Sequence, residues 1–191
     1  KTLQALGHEV SERPLEADWR ALYRAQGAHS AGHFGAGILE AIREIGREPE
    51  DEDFETLTKS IIAASRRIGA DRSAYGTLTL QNMVRPIMAQ WEHFDVFLCP
   101  TMITPPPQIG HIDPVNLDPK EVNARQARVF GYTPPFNMTG QPSVSLPLAW
   151  SADGLPIGMM FTGRYADEAT LLNLATQLEE AMPWAQRRPA H

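Results

Sequence analysis

Apolar residues recur at helical spacing through much of the chain and crowd together at strand-like density in three short runs. Leu3, Leu6 and Val10 keep helical spacing, and Gly7 stands where a helix C′ residue belongs, so "TLQALGHEV" reads as the last turns of a helix. "EVSERPL" (residues 9–15) then reads as a short strand and a loop. Asp18 is a plausible N-cap for a helix carrying Trp19, Leu22 and Tyr23 on one face. The glycines of "QGAHSAGHFGAG" (26–37) predict an interruption, after which Ile38, Leu39, Ile42 and Ile45 resume the period as far as Gly46. A charged loop, "REPEDED" (47–53), leads into the helical "DFETLTKSIIAASRRIG".

The clearest long helix spans 73–94, with Leu78, Leu80, Met83, Val84, Ile87, Met88 and Trp91 on its apolar face. Pro86 inside that pattern predicts a kink or a break. "FDVFLCPT" (94–101) reads as a strand buried on both faces. The Pro-rich "ITPPPQIGHIDPVNLDPKEV" reads as a long loop, and "EVNARQARVFGYT" as a weaker helix. Residues 143–148 and 157–162 read as two strands of a hairpin joined by the Asp-Gly turn of "SADGLP". Asp167 or Glu168 starts a last helix whose buried stripe is Leu171, Leu172, Leu174, Ala175 and Leu178, and "MPWAQRRPAH" is a tail. Strands among helices imply an α/β layered architecture with a helix-rich N-terminal half. The strands are few and suit the edge or half of a larger sheet.

Composition narrows the function. With 191 residues, 42% of them hydrophobic, the chain can bury one sizeable core. Acidic residues outnumber basic ones 23 to 17, a formal net charge of −6, so nucleic acid is not an expected partner. No apolar run reaches membrane-spanning length, and no membrane partner is expected. The single cysteine, Cys99, excludes an internal disulfide framework and fits a reducing, cytoplasmic setting.

Self-contained chemistry is hard to find. His29 and His33 are spaced i, i+4, which could place two imidazoles on one helix face. No HEXXH pattern and no nearby carboxylate completes a set, so the pair reads as polar residues in a Gly-rich helix break, and no metal is expected. "GHFGAG" lacks the Lys-Ser/Thr of a phosphate loop. Cys99 sits at a predicted strand end, where a nucleophile or a pocket-lining sulfur could stand, but "FLCP" reads best as a buried small hydrophobe. No serine lies in G-x-S-x-G, and Lys59 and Ser60, adjacent on a helix, point in different directions.

The stretch "FNMTGQPSVSLPLAWSADGLPIGMMFTGRYADEATLLNLATQLE" resembles the C-terminal part of amidase-signature hydrolases. The carriers are Phe136, Asn137, Gly140, Pro142, Ser145 and Pro147, then Gly154, Leu155, Pro156, Gly158, Gly163, Glu168 and Leu171. "FDVFLCPTMITPPPQIG" is similar to the family's D-x-x-x-x-P-T segment, and "LEEAMPWAQRRP" to the 6-aminohexanoate cyclic dimer hydrolases within it. The resemblance implies an α/β fold with a mixed sheet flanked by helices, of which residues 1–191 are a single partial domain. It implies hydrolysis of a linear or cyclic small-molecule amide through a seryl acyl-enzyme, by a Ser–cis-Ser–Lys triad and without cofactor.

No triad residue can be placed on this sequence, which has no "GGSSGGS"-like run. The expectation is therefore a portion of an amidase that works with a missing N-terminal half of the same polypeptide and is inactive alone. Its share would be sheet, turns and substrate-pocket walls: Cys99, Thr101, Met102, Ile103, Phe136, Asn137, Met138 and Thr139. Gly140-Gln141-Pro142 would turn the chain from a helix into "SVSLP", with Asn137 bonding backbone there. Gly158 and Gly163 would permit close backbone approach. A face left by the absent half would favour homo-oligomers. The rival expectation is a standalone non-catalytic module that reuses this fold piece for binding or oligomerisation.

Overall fold

A computed structural model describes residues 1–187. Its elements, in order, are α1 (Thr2–Ala5), α2 (Trp19–Ile45), α3 (Thr56–Arg67), α4 (Ala70–Ala89), β1 (Phe97–Pro100), α5 (Pro119–Val129), α6 (Pro134–Thr139), β2 (Ser143–Trp150), β3 (Pro156–Thr162) and α7 (Glu168–Ala181), with 3-10 turns at Asp51–Asp53 and Gln90–Glu92. Contacts group them into two units, one of residues 1–16, 87–106 and those from 130 on, the other of 17–86 and 107–129. The architecture is α/β. Residues 188 to 191, the end of the predicted tail, lie outside the described residues.

In the first unit the three described strands form an antiparallel sheet ordered β1-β3-β2. The predicted hairpin is present. Gly154 takes φ +77° in its turn, and Ser151 N–H donates to Leu155 O at 2.9 Å. Pro147 pairs with Gly158 and Ala149 with Ile157, so Leu148 is the extra residue of a bulge. That bulge, on the outer strand β2, is where a sheet tolerates a proline that cannot donate.

Register sorts the side chains onto two faces. Leu98, Val144, Leu146, Met159 and Phe161 share the face on which Leu171 and Leu178 of α7 pack, with Leu3, Leu6, Leu174 and Trp184 around them. Asp167 caps α7, accepting from the Thr170 N–H at 3.3 Å and from its hydroxyl at 2.8 Å. Leu172 does not join the stripe; it is exposed, because only positions three, four and seven apart from Leu171 face the sheet.

Two expectations fail in this unit. Residues 9–15 form no strand: "EVSERP" is polar and exposed, and it pairs with no strand. The chain is instead tied down next door, where Gln90 exchanges two hydrogen bonds with the Glu16 backbone at 3.0 and 2.8 Å. Strand β1 is half-buried rather than buried on both faces, since it is an outer strand of the described sheet.

The second unit contains a larger departure. α2 is continuous for 27 residues, straight through the Gly-rich stretch. Its termini obey the expected chemistry, with Asp18 accepting from Ala21 N–H at 3.0 Å and Gly46 closing the helix at φ +77°. Across the middle, small residues let helices approach closely. A Cβ on Gly76 of α4 would stand 2.7 Å from Ala28 Cβ and 3.0 Å from His29 N; one on Gly32 would stand 2.6 Å from Ser73 Cβ. The weak helix propensity of glycine is thus offset by packing that a larger residue would forbid.

α4 likewise runs through Pro86 to Ala89 without the predicted break. On α4, Leu80 and Ile87 are buried while Leu78 is exposed, and on α2 Tyr23, Leu39 and Ile45 are exposed too. Leu22, Ala25, Ile62, Val122 and Val129 supply buried apolar side chains of this unit. α5 forms as predicted, and the "charged loop" carries a 3-10 turn latched by Arg47 to Asp53 at 2.7 Å.

This packing separates two glycines that look alike in sequence. Gly76→Ala is expected to lower stability by about 1–3 kcal/mol through overpacking against backbone. Gly27→Ala, with nothing within 4 Å of the new Cβ, is expected to raise it by about 1 kcal/mol. Urea unfolding midpoints of the two variants decide it; equal effects would contradict the close approach.

Candidate functional site

The residues singled out by sequence fall in two segments of the first unit, at the end of β1 and along α6. Strand alternation puts Phe97 and Cys99 on the sheet face opposite α7, beside Thr162 and Met160 of β3 and Ser143 and Ser145 of β2. Thr101 continues that face. Its N–H donates to Gly158 O at 2.8 Å, extending the ladder past Pro100, and its hydroxyl lies 2.6 Å from the Ser145 hydroxyl. The geometry requires glycine at 158, where a Cβ would stand 2.7 Å from Ser145 Oγ and 2.8 Å from Thr101 Oγ1.

Phe136 reaches the same face from α6. Its ring lies 6.1 Å from Phe97 and meets Trp91 edge-on at 6.3 Å, and Phe94 completes the aromatic cluster 4.9 Å from Trp91. Edge-on and tilted pairs of this kind are favourable beyond the area they bury. Trp91 is itself fixed by its indole N–H, which donates to Thr162 O at 3.0 Å. Thus Cys99 and Thr101 on one side, and Phe136 on the other, are anchored to a common sheet face.

The remaining candidates differ among themselves. Thr139 is buried, Met138 and Met102 are half-buried, and Ile103 and Asn137 are exposed. The hydrogen bonds of the turn are made by other side chains than Asn137. Gly140 takes φ +70° after α6, Gln141 N–H donates to Thr139 Oγ1 at 3.4 Å, and Gln141 Nε2 donates to Gly163 O at 2.8 Å. Asn137 is exposed, whereas Gln141 is buried. Ser145 and Gln141 are the members of this site that residue-type reasoning left out. Their signal was the G-x-P-x-x-S spacing, which sets Ser145 on the face of Thr101.

Burial pushes the Cys99 thiol up to about 11. At neutral pH it is a protonated, packed group, not a nucleophile. Among the described residues no group of three or more metal-ligating side chains clusters, and no helix is long and apolar enough to cross a membrane.

Residues 1–172 match the Amidase family. The chain belongs to that family. The putative amidase AmiC of Mycobacterium leprae is 50% identical over 93 residues, which are 49% of this chain and 19% of that protein. The 6-aminohexanoate-cyclic-dimer hydrolase of Paenarthrobacter ureafaciens is 30% identical over 196 residues, 98% of this chain and 39% of that protein. A solved structure of 6-aminohexanoate cyclic dimer hydrolase complexed with substrate superposes with a TM-score of 0.88 at 29% identity, covering 98% of this chain and 40% of that one. This chain therefore spans about two fifths of the length of the cyclic-dimer hydrolases it resembles over almost its whole extent.

Two expected outcomes follow from the site geometry. Alkylation of Cys99 by iodoacetamide at pH 8 should be on the order of a hundredfold slower than that of a free cysteine, rising about tenfold per pH unit toward pH 11; a plateau below pH 9 would contradict it. Gly158→Ala should part Thr101 from Ser145 and cost about 1–3 kcal/mol, seen as a lower thermal midpoint that Ser145→Ala in the same chain partly restores.

Proposed function

We propose that these residues form scaffold and substrate-pocket wall of an amide hydrolase that cleaves a linear or cyclic amide through a seryl acyl-enzyme. In such a reaction a serine oxygen adds to the amide carbonyl and the amine leaves with a proton from the acid–base partner. Water then hydrolyses the ester and frees the serine. Two donors must also hold the developing oxyanion. The serine, its Ser and Lys partners and those donors are assigned to polypeptide outside this sequence. The pocket wall is assigned to Cys99, Thr101, Met102, Ile103, Phe136, Asn137, Met138 and Thr139.

The observation that carries this reading is the convergence of the β1 end and α6 on the one sheet face that α7 leaves uncovered. On that face Phe97, Cys99 and Thr101 are half-buried and the hydroxyl-bearing Ser143 and Ser145 exposed, over a buried layer of Phe136, Trp91 and Met160; apolar side chains with a few hydroxyls suit the apolar chain and polar amide of an oligoamide. The resemblance to 6-aminohexanoate-cyclic-dimer hydrolases supports a cyclic or flexible aliphatic amide over a peptide side chain.

Fusion of the preceding part of the Paenarthrobacter ureafaciens hydrolase ahead of Lys1 tests the proposal. The chimera is expected to be labelled by a serine-reactive fluorophosphonate and to hydrolyse the cyclic dimer, whereas this chain alone does neither. Phe136→Ala in the chimera should raise KM or lower kcat/KM by about tenfold while labelling persists, consistent with loss of 1–2 kcal/mol of contact. Fluorophosphonate labelling of this chain alone would contradict the proposal.

A further inference from the structure

The continuity of α2 changes the meaning of His29 and His33. On an unbroken helix, residues four apart share a face, and the two imidazoles lie 4.0 Å apart between ring centroids, tilted by 37°. Each has its Nδ1 engaged. His33 Nδ1 lies 3.0 Å from the His29 carbonyl oxygen, which can only accept, so His33 carries its proton on Nδ1. His29 Nδ1 lies 3.0 Å from Thr77 Oγ1, whose own proton goes to Ser73 O at 3.1 Å, so His29 Nδ1 also donates.

With Nδ1 donating, each ring can offer the Nε2 lone pair to a ligand. This is the arrangement by which proteins preset metal-binding imidazoles, with one nitrogen donating to a carbonyl or hydroxyl so that the other points its lone pair outward.

We propose that His29 and His33 form a two-imidazole site for a divalent cation of the zinc and copper class, with water completing the coordination shell. Imidazole is a preferred ligand of these ions, which it binds through nitrogen at about 2.0–2.1 Å. The ion would bridge residues 29 and 33 inside the Gly-rich stretch, where α2 has least propensity of its own. Binding to the folded state would raise the stability of α2 by mass action. The site lies in the second unit and does not depend on the amidase reading.

Titration of the tag-free, chelator-treated chain with zinc chloride tests it. The expected result is one ion per chain by calorimetry, with the Nε2 resonances of His29 and His33 both shifting and the thermal midpoint rising. His33 is exposed, so His33→Ala should fold, as circular dichroism verifies, and should weaken binding at least tenfold. Thr77→Val, which removes the oxygen orienting His29, should weaken it by about tenfold. His111→Ala should leave it unchanged. No shift at either imidazole, or binding retained in full by His33→Ala, would overturn the site.

Discussion

The end of strand β3 holds the first unit together. Thr162 O accepts the Trp91 indole N–H, the Thr162 hydroxyl pairs with that of Ser143 at 2.8 Å, Gly163 O accepts from Gln141, and Gly163 N–H donates to Pro142 O at 3.1 Å. Thr162, Trp91 and Gln141 are buried, so each of these polar partners would cost about 1–3 kcal/mol if left unmatched. One point thereby positions the turn that carries Trp91, the exit from α6 and the start of β2. Arg164 adds a bond to Trp91 O at 3.2 Å and an ion pair with Asp95 at 3.0 Å, which tie the approach to β1 to the same place. Because α6 and β1 carry the candidate site, its geometry is inherited from this junction.

A second theme is contact enforced by small residues. Gly158 lets two hydroxyls meet across the sheet, and Gly32 and Gly76 let helices of the second unit approach one another. The chemical consequences differ. At Gly158 the result is a polar pair on the face assigned to substrate, whereas in α2 it is a continuous helix that brings two histidines into register.

Local signals in the sequence were reliable where the chemistry is local. Asp18 and Asp167 cap helices, Gly7 and Gly46 end them, and Asp153-Gly154 turns the hairpin. Family membership was legible too, in the spacing from Phe136 to Leu171. The errors arise where long-range contact decides. Glycine signals weak helix propensity, but nothing adjacent to Gly32 reveals that Ser73 will lie against it. Leu172 and Leu78 sit within apolar runs, yet a helix presents one stripe to its neighbour and leaves the rest in water. Gln141 outranks Asn137 in the turn because it reaches Gly163, 22 residues on, a partner the local pattern does not announce.

On the proposed reading, this sheet face, its aromatic cluster and the Thr101–Ser145 hydroxyl pair hold the amide while another segment attacks it. The most direct measurement is a crystal structure of the chimeric hydrolase with an acyl group trapped on its serine. The account predicts acylation outside residues 1–191, with the acyl chain within about 4 Å of Phe136 and the 101–103 segment. An acylated serine within this chain, or an acyl chain lying against the second unit instead, would contradict it.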